Sequence, residues 1–429
     1  MKLLHIATIA VFVAVIYLPQ TLLPQQGSPA AVDIEKIKSL ASDLIKPQSK
    51  SEREKVLAEV EKIAPKGAPL TKSQFEELEK TIRTSVEYPK ADTGAKDYSV
   101  SIASTKQKFP IKVYISSAYK EDKPTPLIIV IHGGPVGPMN MALAQAGKAM
   151  ASWQPSAENN GWLVCCTVEA TDVTGELGSK ALFEIIDYVK EHYNVDPDRV
   201  YMTGQSRGGF FSWGYGLADP DRFAGIAPDC GGGFQGDKLI NAANLSVYNV
   251  QGKQDNQGNQ NFVLPRMAKQ NKDKLDELAK KEKGKYEHIY KETELGHTWN
   301  SAVYPDVMKW FSTRPRDNYV KRVIGHIGAL GSNNRLYWFQ VLDGRDTPVE
   351  AECDRARNEV NIKCDGLKKF RVYLHDKLLD LDRNIKIIVN GKTAFEGKVT
   401  RSPYFTLKHI TDTNDTGRVF AQMVEVEVK

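Results

Sequence analysis

Cysteine is scarce in this chain, with five in 429 residues, and the five form no Cys-x-x-Cys pair and no Cys/His spacing of the zinc-site kind. Nothing therefore points to a zinc module, and neither a metal nor a cofactor is expected. An excess of charge of one sign is also lacking. Lys and Arg number 58 against 53 Asp and Glu, and a net +5 is too small for this length to suggest a nucleic-acid partner. The lysines gathered over residues 269–285 read as the solvated face of a helix. No internal repeat is visible, which argues against a solenoid or a propeller, and there is no long low-complexity linker.

What is present is an ordinary globular balance, 41% hydrophobic and 26% charged, over a length that suits two or three domains. The N-terminus is distinctive. Met1-Lys2 is followed by an almost unbroken apolar run over residues 3–18, then Pro19 and a polar stretch. This predicts a secretory signal over residues 1–30, with Ser28-Pro29-Ala30 as small residues at the cleavage position. The competing reading is an uncleaved membrane anchor, for which the run is short. Either way the protein is expected to be exported, to the periplasm or beyond. For an exported chain two readings of Cys353 and Cys364 stand, a disulfide or two free thiols. Cys165 and Cys166 read as small core residues of a strand.

Residues 31–95 carry apolar positions at helical spacing (Ile34, Ile37, Leu40, Leu44; Phe75, Leu78, Ile82) and predict a helical prelude packed on the main domain. From residue 96 to 314 strand-like and helical segments alternate. Strands are predicted at 98–103, 109–116, 127–131, 162–166, 200–202, 223–227, 247–250 and 286–290, and helices at 182–193, 207–217, 262–281 and 303–311. That alternation predicts an α/β domain with a mostly parallel sheet and helices on both faces, where ligands bind at the carboxyl ends of the strands. Residues 315–429 lose the helical signal and read as an antiparallel β-sandwich, with Asn390-Gly391 as a hairpin turn. Tyr337, Trp338 and Phe339 are consecutive there, so they alternate between faces and read as core.

Chemistry concentrates in Gly204-Gln205-Ser206-Arg207-Gly208, between a predicted strand and a predicted helix. A serine on so sharp a turn is held beyond the sheet edge and needs small neighbours, which Gly204 and Gly208 provide. The plainer reading is a glycine-rich turn without chemistry. Serine is a weak nucleophile at neutral pH and needs a base. His297 lies on the loop after the last predicted strand, where a base belongs. A carboxylate must orient the imidazole. Asp255, just past the strand at 247–250, is the first choice, and Asp229 and Asp237 are its rivals. Oxyanion donors are expected from the backbone of Gly133 and Gly134, in His132-Gly133-Gly134-Pro135, and from the amide of Arg207. His132 reads as a structural residue of that turn. The Arg207 side chain reads either as a charge at the pocket mouth or as a surface arginine.

These residues, in the chain order Ser206, Asp255, His297, resemble the α/β-hydrolase superfamily. The segment at 193–200 leading into the turn resembles polyhydroxybutyrate depolymerases, feruloyl esterases and prolyl-oligopeptidase-like esterases. Arg207 departs from the commoner pattern, in which a smaller residue follows the serine. The resemblance implies an α/β-hydrolase fold and hydrolysis of a small or polymer-linked carboxylic ester through an acyl-enzyme. A serine peptidase of the prolyl-oligopeptidase type and a catalytically silent binding protein are the alternatives.

Overall fold

The computed structural model describes residues 32–428, apart from 47, 49, 66–67, 135–138, 169–174, 256–262 and 332–333. The N-terminal apolar run lies outside the described residues. Among those described, no helix is long and apolar enough to cross a membrane.

Three helices come first. α1 (Ile34–Ile45) is capped by the Asp33 carboxylate on the Lys36 amide. α2 (Lys50–Ile63) follows, and then α3 (Lys72–Thr84), opened by a reciprocal Thr71/Gln74 capping box. Their apolar stripes do not pack on the parallel sheet, as the sequence suggested. Ile37, Leu44, Phe75 and Leu78 share one core with Trp338, Val372 and Leu374 of the C-terminal region. The reason is that the parallel sheet covers both its faces with its own helices.

That sheet has eight strands: β1 (Gly94–Ile102), β2 (Gln107–Ile115), β3 (Thr125–Ile131), β4 (Leu163–Thr167), β5 (Val195–Gln205), β6 (Gly225–Asp229), β7 (Ser246–Gly252) and β8 (His288–Thr293). Their order is β1-β2-β4-β3-β5-β6-β7-β8. β2 pairs antiparallel with both neighbours, and every other pairing is parallel. Alternate residues point to opposite faces. Leu127, Ile129 and Ile131 join one apolar layer with α5 (Gly175–His192), α6 (Arg207–Ala218) and Leu275 of α7 (Leu264–Lys281). Ile128 and Val130 join the other with α4 (Met139–Asn160) and α8 (Tyr304–Ser312). This is the α/β-hydrolase topology. Helix α4 is an addition to the sequence reading, which assigns nothing to that stretch. It carries Pro155 inside, and its buried face is largely alanine.

The C-terminal region forms two sheets. One is β10 (Arg335–Leu336), β11 (Phe339–Gly344), β14 (Leu367–Leu374) and β17 (Gln422–Glu427). The other is β16 (Lys392–Gly397), β15 (Ile385–Val389), β13 (Glu359–Cys364), β12 (Pro348–Asp354) and β9 (Arg322–His326). Their pairings are antiparallel except for β13 with β15. Asn390 and Gly391 make the β15–β16 turn, with φ of 48° and 80°. Tyr337, Trp338 and Phe339 are buried. One helix interrupts the strands where the sequence suggested none. α9 (Pro403–Thr413) is capped by Ser402 and carries its proline in the first turn, where no amide is missed. The Cys353–Cys364 bridge is also excluded. In the β12/β13 ladder Cys353 faces Val360 and Cys364 faces Val349. That offset of four residues is about 13 Å along the strands, roughly twice the reach of a disulfide. All five cysteines are free and buried.

A buried ionic knot joins the prelude, the sheet and the C-terminal region. Arg316 donates to both Asp415 oxygens (2.8 and 2.9 Å) and to Asp198 of β5 (3.0 Å), and Arg83 of α3 reaches the other Asp198 oxygen (2.9 Å). Burial alone would raise the Asp415 carboxyl, but Arg316 and the other cations around it hold it well below the usual carboxylate range.

Candidate active site

The strand β5 turns into α6 at a single residue, Ser206, with φ 58° and ψ −118°. A non-glycine residue there is strained, and the surroundings fix it. The Ser206 amide donates to the Asp229 carbonyl (2.9 Å), and its carbonyl accepts from the Phe210 amide (3.1 Å). A methyl group on Gly204 would collide with the Gly208 backbone, and one on Gly208 with the Ile131 carbonyl. The tight packing explains both glycines and leaves Gln205 buried between them.

His297 stands on the loop between β8 and α8. Its Nε2 lies 2.7 Å from Ser206 Oγ and its Nδ1 2.9 Å from Asp255 Oδ1. Asp255, on the turn after β7, is fully buried, while the imidazole is a quarter exposed. Gln251 donates to the second carboxylate oxygen, Oδ2, at 2.9 Å. The three residues therefore line up as hydroxyl, imidazole and carboxylate, at the carboxyl edge of the sheet.

Gly133 and Gly134 follow β3 beside this line. A Cβ on Gly133 would sit 3.2 Å from that of Ser206, and Gly134 takes φ +92°, a conformation suited to glycine. Arg207 is the first residue of α6, so its amide belongs to the N-terminal turn, where helix N–H groups point outward. Its side chain is half-buried, 5.9 Å from the Phe211 ring centroid, rather than a free surface arginine. His132 is buried, with Nδ1 2.8 Å from the Gly133 carbonyl. Burial first, and the Arg207 charge in addition, lower its pKa against the Gly133 hydrogen bond, which works to raise it.

The rival acids are elsewhere. Asp237 is exposed near the start of a 3₁₀ helix (Gly236–Asn244). Asp229 is fully buried and does not meet His297. It accepts from the Asn300 amide (2.9 Å), the Asn300 side chain (2.6 Å) and the Tyr304 hydroxyl (2.6 Å). Burial raises its pKa against these bonds. Asp229 thus holds the end of the histidine loop while its own carbonyl holds the serine turn. Sequence reasoning missed Gln251, which reads as an ordinary end of the β7 strand, and Asn300 and Tyr304, whose bonds to Asp229 span more than 70 residues. Neighbouring Cys230 is no second nucleophile, since burial and then Asp229 push its thiol pKa upward. Among the described residues no group of three metal-ligating side chains is present.

No protein-family model matches the chain. It is 37% identical over 68 residues to the poly(3-hydroxyalkanoate) depolymerase C of Paucimonas lemoignei, a match covering 16% of each chain. It is 28% identical over 113 residues to a bifunctional acetylxylan esterase/xylanase of Neocallimastix patriciarum, covering 25% of this chain and 16% of that one. The matches thus span about a sixth of each relative. Among solved structures, a thermostable esterase aligns at a TM-score of 0.44 and 18% identity, over 52% of this chain and 63% of the other. A ferulic acid esterase aligns at 0.42 and 11%, over 52% and 99%.

Proposed function

We propose that the chain is a serine hydrolase that cleaves carboxylic esters through an acyl-enzyme. The observation that carries this reading is the alignment of Ser206 Oγ, His297 and Asp255 at 2.7 and 2.9 Å. Ser206 Oγ attacks the ester carbonyl carbon while its proton passes to His297 Nε2. Asp255 accepts the Nδ1 hydrogen, which fixes the tautomer and offsets the charge of the imidazolium. The amides of Arg207 and of Gly133 and Gly134 are the donors for the oxyanion. As the tetrahedral intermediate collapses, the carbonyl re-forms, the C–O bond to the alcohol breaks, and His297 returns its proton to the departing oxygen. A water then gives a proton to His297 and attacks the acyl group, and Ser206 leaves with that proton.

Ester substrates, rather than peptides, are supported by the two curated relatives, a polyester depolymerase and an acetylxylan esterase. The N-terminal basic start and apolar run support export, with that segment either removed or kept as an anchor. Ser206→Ala is expected to lower kcat on a short p-nitrophenyl ester by at least about 10⁴-fold, with an unchanged circular-dichroism spectrum. A folded mutant that keeps wild-type rates would refute the assignment.

A further inference from the structure

Among the described residues five large apolar side chains stand exposed: Phe234 (52%), Met141 (45%), Leu295 (44%), Met139 (41%) and Phe210 (37%). Exposed apolar residues scattered singly need no explanation. These are not scattered, because each belongs to a segment that leaves the carboxyl edge of the parallel sheet next to the site. Phe210 lies one helical turn beyond Ser206, and its amide donates to the Ser206 carbonyl. Phe234 follows Gly233, where a Cβ would stand 3.3 Å from Met267 Sδ and 3.9 Å from the Phe210 ring, so the Met267 and Phe210 side chains lie beside the backbone that carries Phe234. Leu295 is two residues before His297, and its carbonyl accepts the Gln254 amide next to Asp255 (3.0 Å). Met139 and Met141 open α4 about one turn ahead of Gln145, whose side chain lies against Gly134. The prelude and the C-terminal region contribute none.

We propose that this apolar rim receives the hydrocarbon part of the substrate, so that esters of acyl chains with about six or more carbons are preferred to acetyl esters, with Phe210 and Phe234 as specificity-determining residues. The proposal rests on the ester-hydrolase reading and narrows it to a substrate class. The rim flanks both the nucleophile and the base, so a chain extending from a carbonyl held at Ser206 meets it directly. Apolar contact that forms only once the carbonyl is seated raises kcat/KM. A fully buried methylene is worth about fourfold, and partial contact over several of them about tenfold in sum.

The test compares kcat/KM for p-nitrophenyl acetate, butyrate and octanoate, each below its micelle concentration, for the full chain and for Phe210→Ala and Phe234→Ser. The wild-type octanoate-to-acetate ratio is expected to be about tenfold or more, and to fall at least about fivefold in each variant. Phe234 is half exposed, so its replacement tests the rim even if Phe210→Ala does not fold. A wild-type ratio near or below one, or a ratio unchanged in Phe234→Ser, would overturn the proposal. So would a dimer in sedimentation that Phe234→Ser dissociates without altering the ratio, since the rim would then be a contact between copies. Loss of all ester hydrolysis, together with failure of a fluorophosphonate to label Ser206, would bring down the hydrolase reading as well.

Discussion

Asp229 and Asp255 stand at the ends of adjacent strands, both buried, and differ in what they hold. Asp255 faces one titratable partner, His297, and one amide, Gln251. Asp229 faces groups that keep their hydrogens, the Asn300 amide and side chain, the Tyr304 hydroxyl and the Cys230 thiol. Replacing each carboxylate by its amide should separate the two roles. Asp255→Asn leaves the packing in place but offers the imidazole the wrong partner, and kcat should drop about 10³- to 10⁴-fold with little change in Tm. In Asp229→Asn an NH₂ must face donors that had an acceptor, so the folded state should lose about 1–3 kcal/mol, seen as a lower Tm. If Asp255→Asn kept its kcat while Asp229→Asn lost it, the identity of the acid would have to be reversed.

Turns and strands left strong marks in the sequence, while two helices left weak ones. The serine turn was legible because its geometry demands glycine on both sides, and the central strands because continuous runs such as residues 127–131 are buried on both faces. Helix α4 was not legible. Its buried positions include Ala142, Ala146, Ala149 and Ala157, too weakly apolar to form a visible stripe, and Pro155 reads as a stop. Helix α9 was hidden in a region of strands, and β16 buries only one residue, Ala394, too few to mark a face. The Asn390-Gly391 turn offers a clean test of what such signals mean. Gly391 has φ +80° and open space around its Cα, so a side chain there meets strain but no collision. Gly391→Val should cost about 1–2 kcal/mol of stability, measured by urea denaturation, while Gly391→Asn should cost less and kcat should stay the same in both. Equal stability of the valine variant would mean that the turn relaxes.

At the scale of the whole molecule, charged groups cross between its parts beside the apolar core that the prelude shares with the C-terminal region. Glu79 of α3 is buried with His375 Nε2 at 3.2 Å, Lys377 Nζ at 3.4 Å and Arg83 Nε at 3.4 Å. Burial works to raise its pKa, but the hydrogen bond to His375 and the surrounding cations outweigh it and bring the carboxyl from 4.5 to about 2. A carboxyl depressed in the folded state adds stability that is present above its unfolded pKa and is lost as pH falls through the folded one. The contact between α3 and the C-terminal region should therefore weaken from about pH 4.5 down to about pH 2. Glu79→Gln should be less stable than wild type at pH 7, on the order of 2 kcal/mol, and the two should converge near pH 2. Parallel urea curves at all pH values would show that the carboxylate contributes nothing. The knot at Arg316 has a related outcome for anyone who shortens the gene. Asp198 comes from the sheet and Arg316 and Asp415 from the C-terminal region, stretches that look separable on paper; Arg316 and Asp415 are buried, and Asp198 is partly so. Cutting away residues 315–429 would take Arg316 from Asp198 and leave that carboxylate with Arg83 alone, so the parallel sheet is expected to lose stability as a stand-alone cassette unless that position is redesigned with it.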